Sequence, residues 1–166
     1  FLYLNQYTES DLSLSVPKYT KYYYPAIPYI WESKDVSRML DSIDRGNPTG
    51  KRDYAILLMV TKLGIRASDI KSLKLSDLNW SQKTITIRQN KTKNTITYPI
   101  LGDIGWALID YLKNGRHSSS SPYVFLRTYA PYEAFGKDAN LHYIIVKYTR
   151  LSGIKVPRGK RYGMHS

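Results

Sequence analysis

From Ser33 onward the apolar positions fall into blocks with two different periods. Val36, Met39, Leu40 and Ile43 recur three and four apart, which predicts an amphipathic helix starting near Ser33, a residue able to cap it. Gly46-Asn47-Pro48-Thr49-Gly50 breaks that pattern and predicts a loop. The next block, Lys51 to Leu63, is apolar on every side over Tyr54 to Val60, which predicts a helix through the middle of the core. Gly64 stops it. A short third helix is expected over Ala67 to Leu73, with Ser68 and Asp69 in its first turn.

The period then changes to two. Thr84-Ile85-Thr86-Ile87-Arg88 and Thr95-Ile96-Thr97-Tyr98 alternate and are built from strand formers. Gln89 to Asn94 between them is polar and turn-prone, so the segment predicts a hairpin with a basic tip, closed by Pro99. Helical spacing returns over Asp103 to Lys113, through Ile104, Leu108, Tyr111 and Leu112. Tyr123 to Phe125 suggests a buried extended stretch. A last helix is expected over Asp138 to Ser152, through Leu141, Ile144, Ile145, Tyr148 and Leu151, and closed by Gly153. Helices, hairpin, helices predicts a mostly α domain with a small antiparallel β-sheet, an α+β fold.

The first 29 residues are different. Phe1, Leu2 and Leu4 suit the end of a helix; polar residues follow, then a Tyr- and Lys-rich stretch with Pro17, Pro25 and Pro28 that favours extended chain. The expected organisation is the end of a preceding domain and an interdomain linker over 1–29, then a second domain over 30–166.

Charge narrows the function. With 166 residues, 25 Lys+Arg against 13 Asp+Glu and a net charge of +12, the chain attracts polyanions, nucleic acid first. The absence of cysteine excludes disulfides, thiol catalysis and thiolate metal sites, and fits a reducing cytoplasm. The longest strongly apolar run, Tyr54 to Val60, is far short of the roughly 20 residues that span a bilayer, so no membrane role is expected. His117 and His142 lack metal-ligand spacing, and no Gly-rich phosphate loop appears, so no cofactor is expected.

Three segments carry candidate chemistry. In Gly64-Ile65-Arg66-Ala67-Ser68-Asp69-Ile70 an arginine stands at the mouth of a helix, where a guanidinium and free amides together can bind phosphate. Read alone, Arg66 is equally a surface arginine paired with Asp69 one turn on. The hairpin tip offers Lys91 and Lys93, which can do chemistry or simply grip phosphate. The tail, Arg158-Gly159-Lys160-Arg161-Tyr162-Gly163-Met164-His165-Ser166, is strongly basic.

The arginine segment resembles the first arginine box of the tyrosine recombinase (phage integrase) family, Gly-x-Arg-x-Ser-Glu/Asp-Ile/Leu, and the following Leu75-Ser76-Asp77-Leu78-Asn79-Trp80 also looks like that family. The hairpin and tail fall in the family's order and spacing. The resemblance implies that Arg66 binds the scissile phosphate and that Asp69 fills the acidic support position. It implies that Lys91, with Lys93 as the alternate, protonates the 5′-hydroxyl leaving group, and that His165 opens the His-x-x-Arg box. It further implies site-specific recombination or integration through a 3′-phosphotyrosyl intermediate, with duplex DNA and further protomers of a synapse as partners, in a bacterial or phage-encoded, nucleoid-associated protein. The family reaction needs neither metal nor nucleotide.

The sequence ends before the box's second arginine and before the tyrosine nucleophile. The expectation is a catalytic domain incomplete at its C-terminus that binds DNA without cleaving it. Arg66, Lys91, Lys93, Lys160 and Arg161 are the expected DNA contacts, with Lys71 a further candidate. The alternatives are a non-enzymatic DNA-binding regulator on the same fold and a basic RNA-binding module.

Overall fold

In the computed structural model the described residues are 3–10 and 29–164. The expected linker over 11–28 and His165 lie outside them. Residues 3–10 form turns and bends, with Tyr3, Leu4 and Tyr7 exposed.

Five α-helices and a three-stranded antiparallel sheet follow. They are α1 (Ser33–Asp41), α2 (Pro48–Leu63), α3 (Ala67–Ser72), β1 (Leu78–Asn79), β2 (Thr84–Arg88), β3 (Thr95–Pro99), α4 (Gly102–Asn114) and α5 (His142–Leu151). The α+β expectation holds. No helix among the described residues is long and apolar enough to cross a membrane.

Helix α2 is the centre of the core. Residues Ala55 to Val60 are all buried, and α4 packs along α2. The helix begins earlier than Lys51, because Pro48 occupies its first turn and the Asn47 side chain accepts the Gly50 N–H at 2.8 Å. A β-carbon on Gly50 would come within 1.7 Å of the Asp44 carbonyl oxygen, so the loop before α2 closes only over glycine. At the other end Gly64 takes a left-handed φ of 64° and returns its N–H to Val60. In α1 the cap is Glu32 without a side-chain bond, and Ser33 is the first helical residue rather than the cap.

The sheet runs β1-β2-β3, with Ile85 opposite both Leu78 and Tyr98. Ile85 and Ile87 point into the core while Thr86 and Arg88 face outward. Strand β1 had no signal in the sequence, since two residues are too few to display alternation. Val124 and Phe125 are buried as expected, and the Arg116 guanidinium fastens this stretch by donating to the carbonyls of Ser121, Tyr123 and Val124.

Helix α5 starts at His142, four residues later than expected. The preceding backbone is diverted outward, with the carbonyls of Gly136, Lys137 and Ala139 all accepting from the Lys71 ammonium. Beyond α5 the basic tail returns to residues 29–31. The Tyr29 N–H donates to the Arg161 carbonyl at 2.8 Å, the Trp31 indole donates to the Gly163 carbonyl at 3.3 Å, and Trp31 meets Tyr162 edge to face.

Candidate phosphate-binding site

Arg66 caps α3 in extended conformation, and its carbonyl accepts the N–H groups of Asp69 and Ile70. Ile65, buried beside it, pins the backbone to the core. The guanidinium nitrogen Nη1 is buried and has no hydrogen-bond partner among the described residues. A buried donor left in this state costs stability, and an incoming anion would satisfy it.

Asp69 does something other than the expected pairing with Arg66. Its carboxylate, only 2% exposed, accepts the backbone N–H of Asn90 at 2.8 Å and the Ser68 hydroxyl at 3.3 Å. No ion pair links it to Arg66 among the described residues. The reason is the helix start. Arg66 is an extended cap residue, outside the α-helical register that brings side chains three apart together.

Asn90 completes the arrangement. Its side-chain amide donates to the Ser68 carbonyl and to the Ser72 hydroxyl, each at 2.9 Å. The hairpin is thus stapled to the arginine's helix by the residue before Lys91. The turn itself closes through Gln89 N–H to the Asn94 carbonyl and Lys93 N–H to the Gln89 carbonyl, with Lys93 in the left-handed region at φ 62°. Lys91 and Lys93 are exposed, and neither ammonium makes an ion pair or hydrogen bond among the described residues. Asn90 was part of a merely polar turn in the sequence. Its role follows from a contact 22 residues away that no local pattern displays.

The other expected contacts are distributed. Lys160 and Arg161 are exposed on the tail segment that meets residues 29–31. Lys71 is half-buried and its ammonium is already engaged by three carbonyls. His142 lies against Tyr162, and His117 stacks on Tyr132 at 3.9 Å between ring centres.

Near the start of α2 lies a buried polar network absent from the sequence reading. Arg52 and Asp53, 2% and 0% exposed, form an ion pair at 2.7 Å. Arg52 also donates to the Leu126 carbonyl and the Tyr143 hydroxyl, and the Tyr148 hydroxyl donates to Asp53 at 3.0 Å. Burial first, then the adjacent Asp53 carboxylate, raises the Tyr148 hydroxyl well above the ordinary phenol range. This network joins α2 to α5 and keeps both tyrosine hydroxyls in structural bonds.

Residues 30–160 match the Phage integrase family. The chain belongs to the phage integrase family of tyrosine recombinases. Among its relatives is the putative integrase/recombinase y4rA of Sinorhizobium fredii, 37% identical over 148 residues that make up 89% of this chain and 36% of y4rA. The chain therefore spans about a third of the length of that relative. Among solved structures, the XerA recombinase superposes with a TM-score of 0.67 at 19% identity, over 98% of this chain and 53% of that one. A lambda integrase (75–356) dimer bound to a COC′ core site does so with a TM-score of 0.61 at 16% identity, over 84% of this chain and 49% of that one. At these identities the structures speak for the fold, which is that of a tyrosine recombinase catalytic domain.

Proposed function

We propose that residues 30–166 form the DNA-binding first part of a recombinase catalytic domain, after the end of a preceding DNA-binding domain and a linker over 1–29, and that the chain holds duplex DNA without cutting it. The observation that carries this is the buried Arg66 nitrogen with no partner among the described residues, at the start of the short helix that docks the Lys91 hairpin. A phosphate oxygen would satisfy the guanidinium, and Lys91 would stand over the adjoining ester. Lys93, Lys160 and Arg161 supply further backbone contacts. The lambda integrase dimer solved on its core site supports duplex DNA and a second protomer as partners.

In the full-length protein a tyrosine oxygen attacks phosphorus as its hydroxyl proton passes to water, and the bond to the 5′ oxygen breaks. Arg66 stabilises charge on the phosphoryl oxygens as it develops. The Lys91 ammonium gives its proton to the departing 5′ oxygen, leaving a 3′-phosphotyrosyl link and a free 5′-hydroxyl. His165 and a second arginine complete the charge stabilisation. Reversal by a second strand's 5′-hydroxyl makes the outcome recombination or integration.

The test is a salt-controlled competition of labelled duplex against single-stranded and duplex RNA, with a nicked suicide duplex in parallel. Preference for duplex DNA without a covalent adduct is expected. Preference for RNA would favour an RNA-binding module, and a covalent adduct would refute the binding-only role.

A further inference from the structure

We infer that Lys71 is a positioning residue: its ammonium latches the lead-in of α5 onto the arginine's helix, and it does not contact DNA. The DNA arm of this inference rests on the function proposed above; the latch itself does not.

The geometry is that of a carbonyl cage. Lys71 Nζ donates to the carbonyls of Lys137 and Ala139 at 2.7 Å each and reaches that of Gly136 at 3.4 Å. An ammonium has three donors, and here all three are directed at one turn of backbone. That turn closes on itself through the Ala139 N–H to the Gly136 carbonyl, and the Asn140 side chain then accepts the His142 N–H at 2.8 Å as α5 begins. To grip a phosphate Lys71 would have to abandon these charge-assisted bonds and leave the Lys137 and Ala139 carbonyls without this donor.

The latch has a functional consequence because of what it joins. The same helix α3 holds the hairpin through Asn90, and at its start it carries Arg66. Beyond Asp138 the sequence contains no Asp or Glu, while Lys147, Arg150, Lys155, Arg158, Lys160 and Arg161 all follow. Lys71 therefore sets the register between the phosphate-binding arginine and the chain's purely basic stretch. A helix of six residues is the hub, and it is fastened to two segments by the Lys71 and Asn90 side chains.

The experiment uses the 166-residue chain with Lys71→Met and Lys71→Arg. Amide hydrogen exchange over residues 136–142 and duplex affinity across a salt series are measured for each. Both variants are expected to speed exchange in that segment about tenfold, because a planar guanidinium cannot converge three donors on one point as an ammonium does. Lys71→Met is expected to weaken duplex binding several-fold at every salt concentration with the slope of log K against log salt unchanged. The inference is overturned if exchange is unaltered, if Lys71→Arg restores wild-type binding, or if Lys71→Met flattens the slope by about 0.9, the value of one lost phosphate contact. Absence of duplex binding by the wild-type chain would overturn the proposed function instead, and the exchange data alone would then decide the latch.

Discussion

Asp69 accepts the backbone N–H of Asn90 at 2.8 Å, so a carboxylate one turn into the arginine's helix holds the hairpin at the residue before Lys91. The acid of the arginine box acts on the lysine's element and not on the arginine. Asp69→Ala leaves the Asn90 N–H without its acceptor and is expected to destabilise the fold by roughly 1–3 kcal/mol. Asp69→Asn, which keeps an oxygen acceptor, recovers most of that loss. Urea unfolding of the two variants measures the difference. In the full-length protein Asp69→Ala should also slow strand cleavage, since Lys91 loses its anchor.

Arg66→Met should separate binding from stability. The wild-type guanidinium carries a buried nitrogen with no partner among the described residues, so its replacement by an apolar side chain is expected to leave stability within about 0.5 kcal/mol of wild type or above it. Duplex affinity should fall, and the salt slope should flatten by about 0.9. Fluorescence anisotropy with a labelled duplex at several salt concentrations reads both effects.

The Arg52–Asp53 pair gives the opposite case. Both residues are buried, and removing Asp53 strands the Arg52 charge, whereas Asp53 has a second cation in Lys147 at 3.7 Å. Asp53→Ala is expected to cost about 3–5 kcal/mol. Calorimetric melting should show it, together with loss of the contact between α2 and α5.

Tyr148 predicts the alkaline behaviour. Its hydroxyl is raised above the unfolded value near 10, by burial and by Asp53, so folding favours the protonated form. The associated stability is fully present below about pH 10 and is lost as pH rises from there toward the folded value. Tyr148→Phe should reduce the pH dependence of stability above about pH 10 and leave that near neutrality unchanged. Unfolding free energies measured at neutral and alkaline pH in both proteins check this.

What the sequence made legible were features written locally. The period of Val36, Met39 and Leu40, the alternation through Ile85 and Ile87, and Gly64 as a stop all act within a turn or a strand. Arg66 stood out as a candidate because its box is contiguous, and Lys91 because a hairpin tip is. What escaped were partners distant in sequence. Asn90 meets Ser68 across 22 residues, Tyr148 meets Asp53 across 95, and Lys71 meets Ala139 across 68. The last of these also explains the late start of α5, since helical spacing at Leu141 and Ile144 continues upstream in pattern while the backbone is drawn away to the ammonium. Asp69 was legible as important but was paired with the nearest cation, when geometry gave it to the hairpin.

The proposed function gives Arg66 to the phosphoryl oxygens and Lys91 to the leaving oxygen. The most direct test is strand cleavage by the full-length protein on a duplex whose scissile 5′ oxygen is replaced by sulfur. A thiolate departs without a general acid, because the conjugate thiol is far more acidic than an alcohol. Lys91→Ala should be strongly impaired on the oxygen substrate and restored toward wild type on the sulfur substrate, whereas Arg66→Ala should remain impaired on both. Restoration of Lys93→Ala with no restoration of Lys91→Ala, or full activity of Arg66→Ala on either substrate, would contradict the assignment.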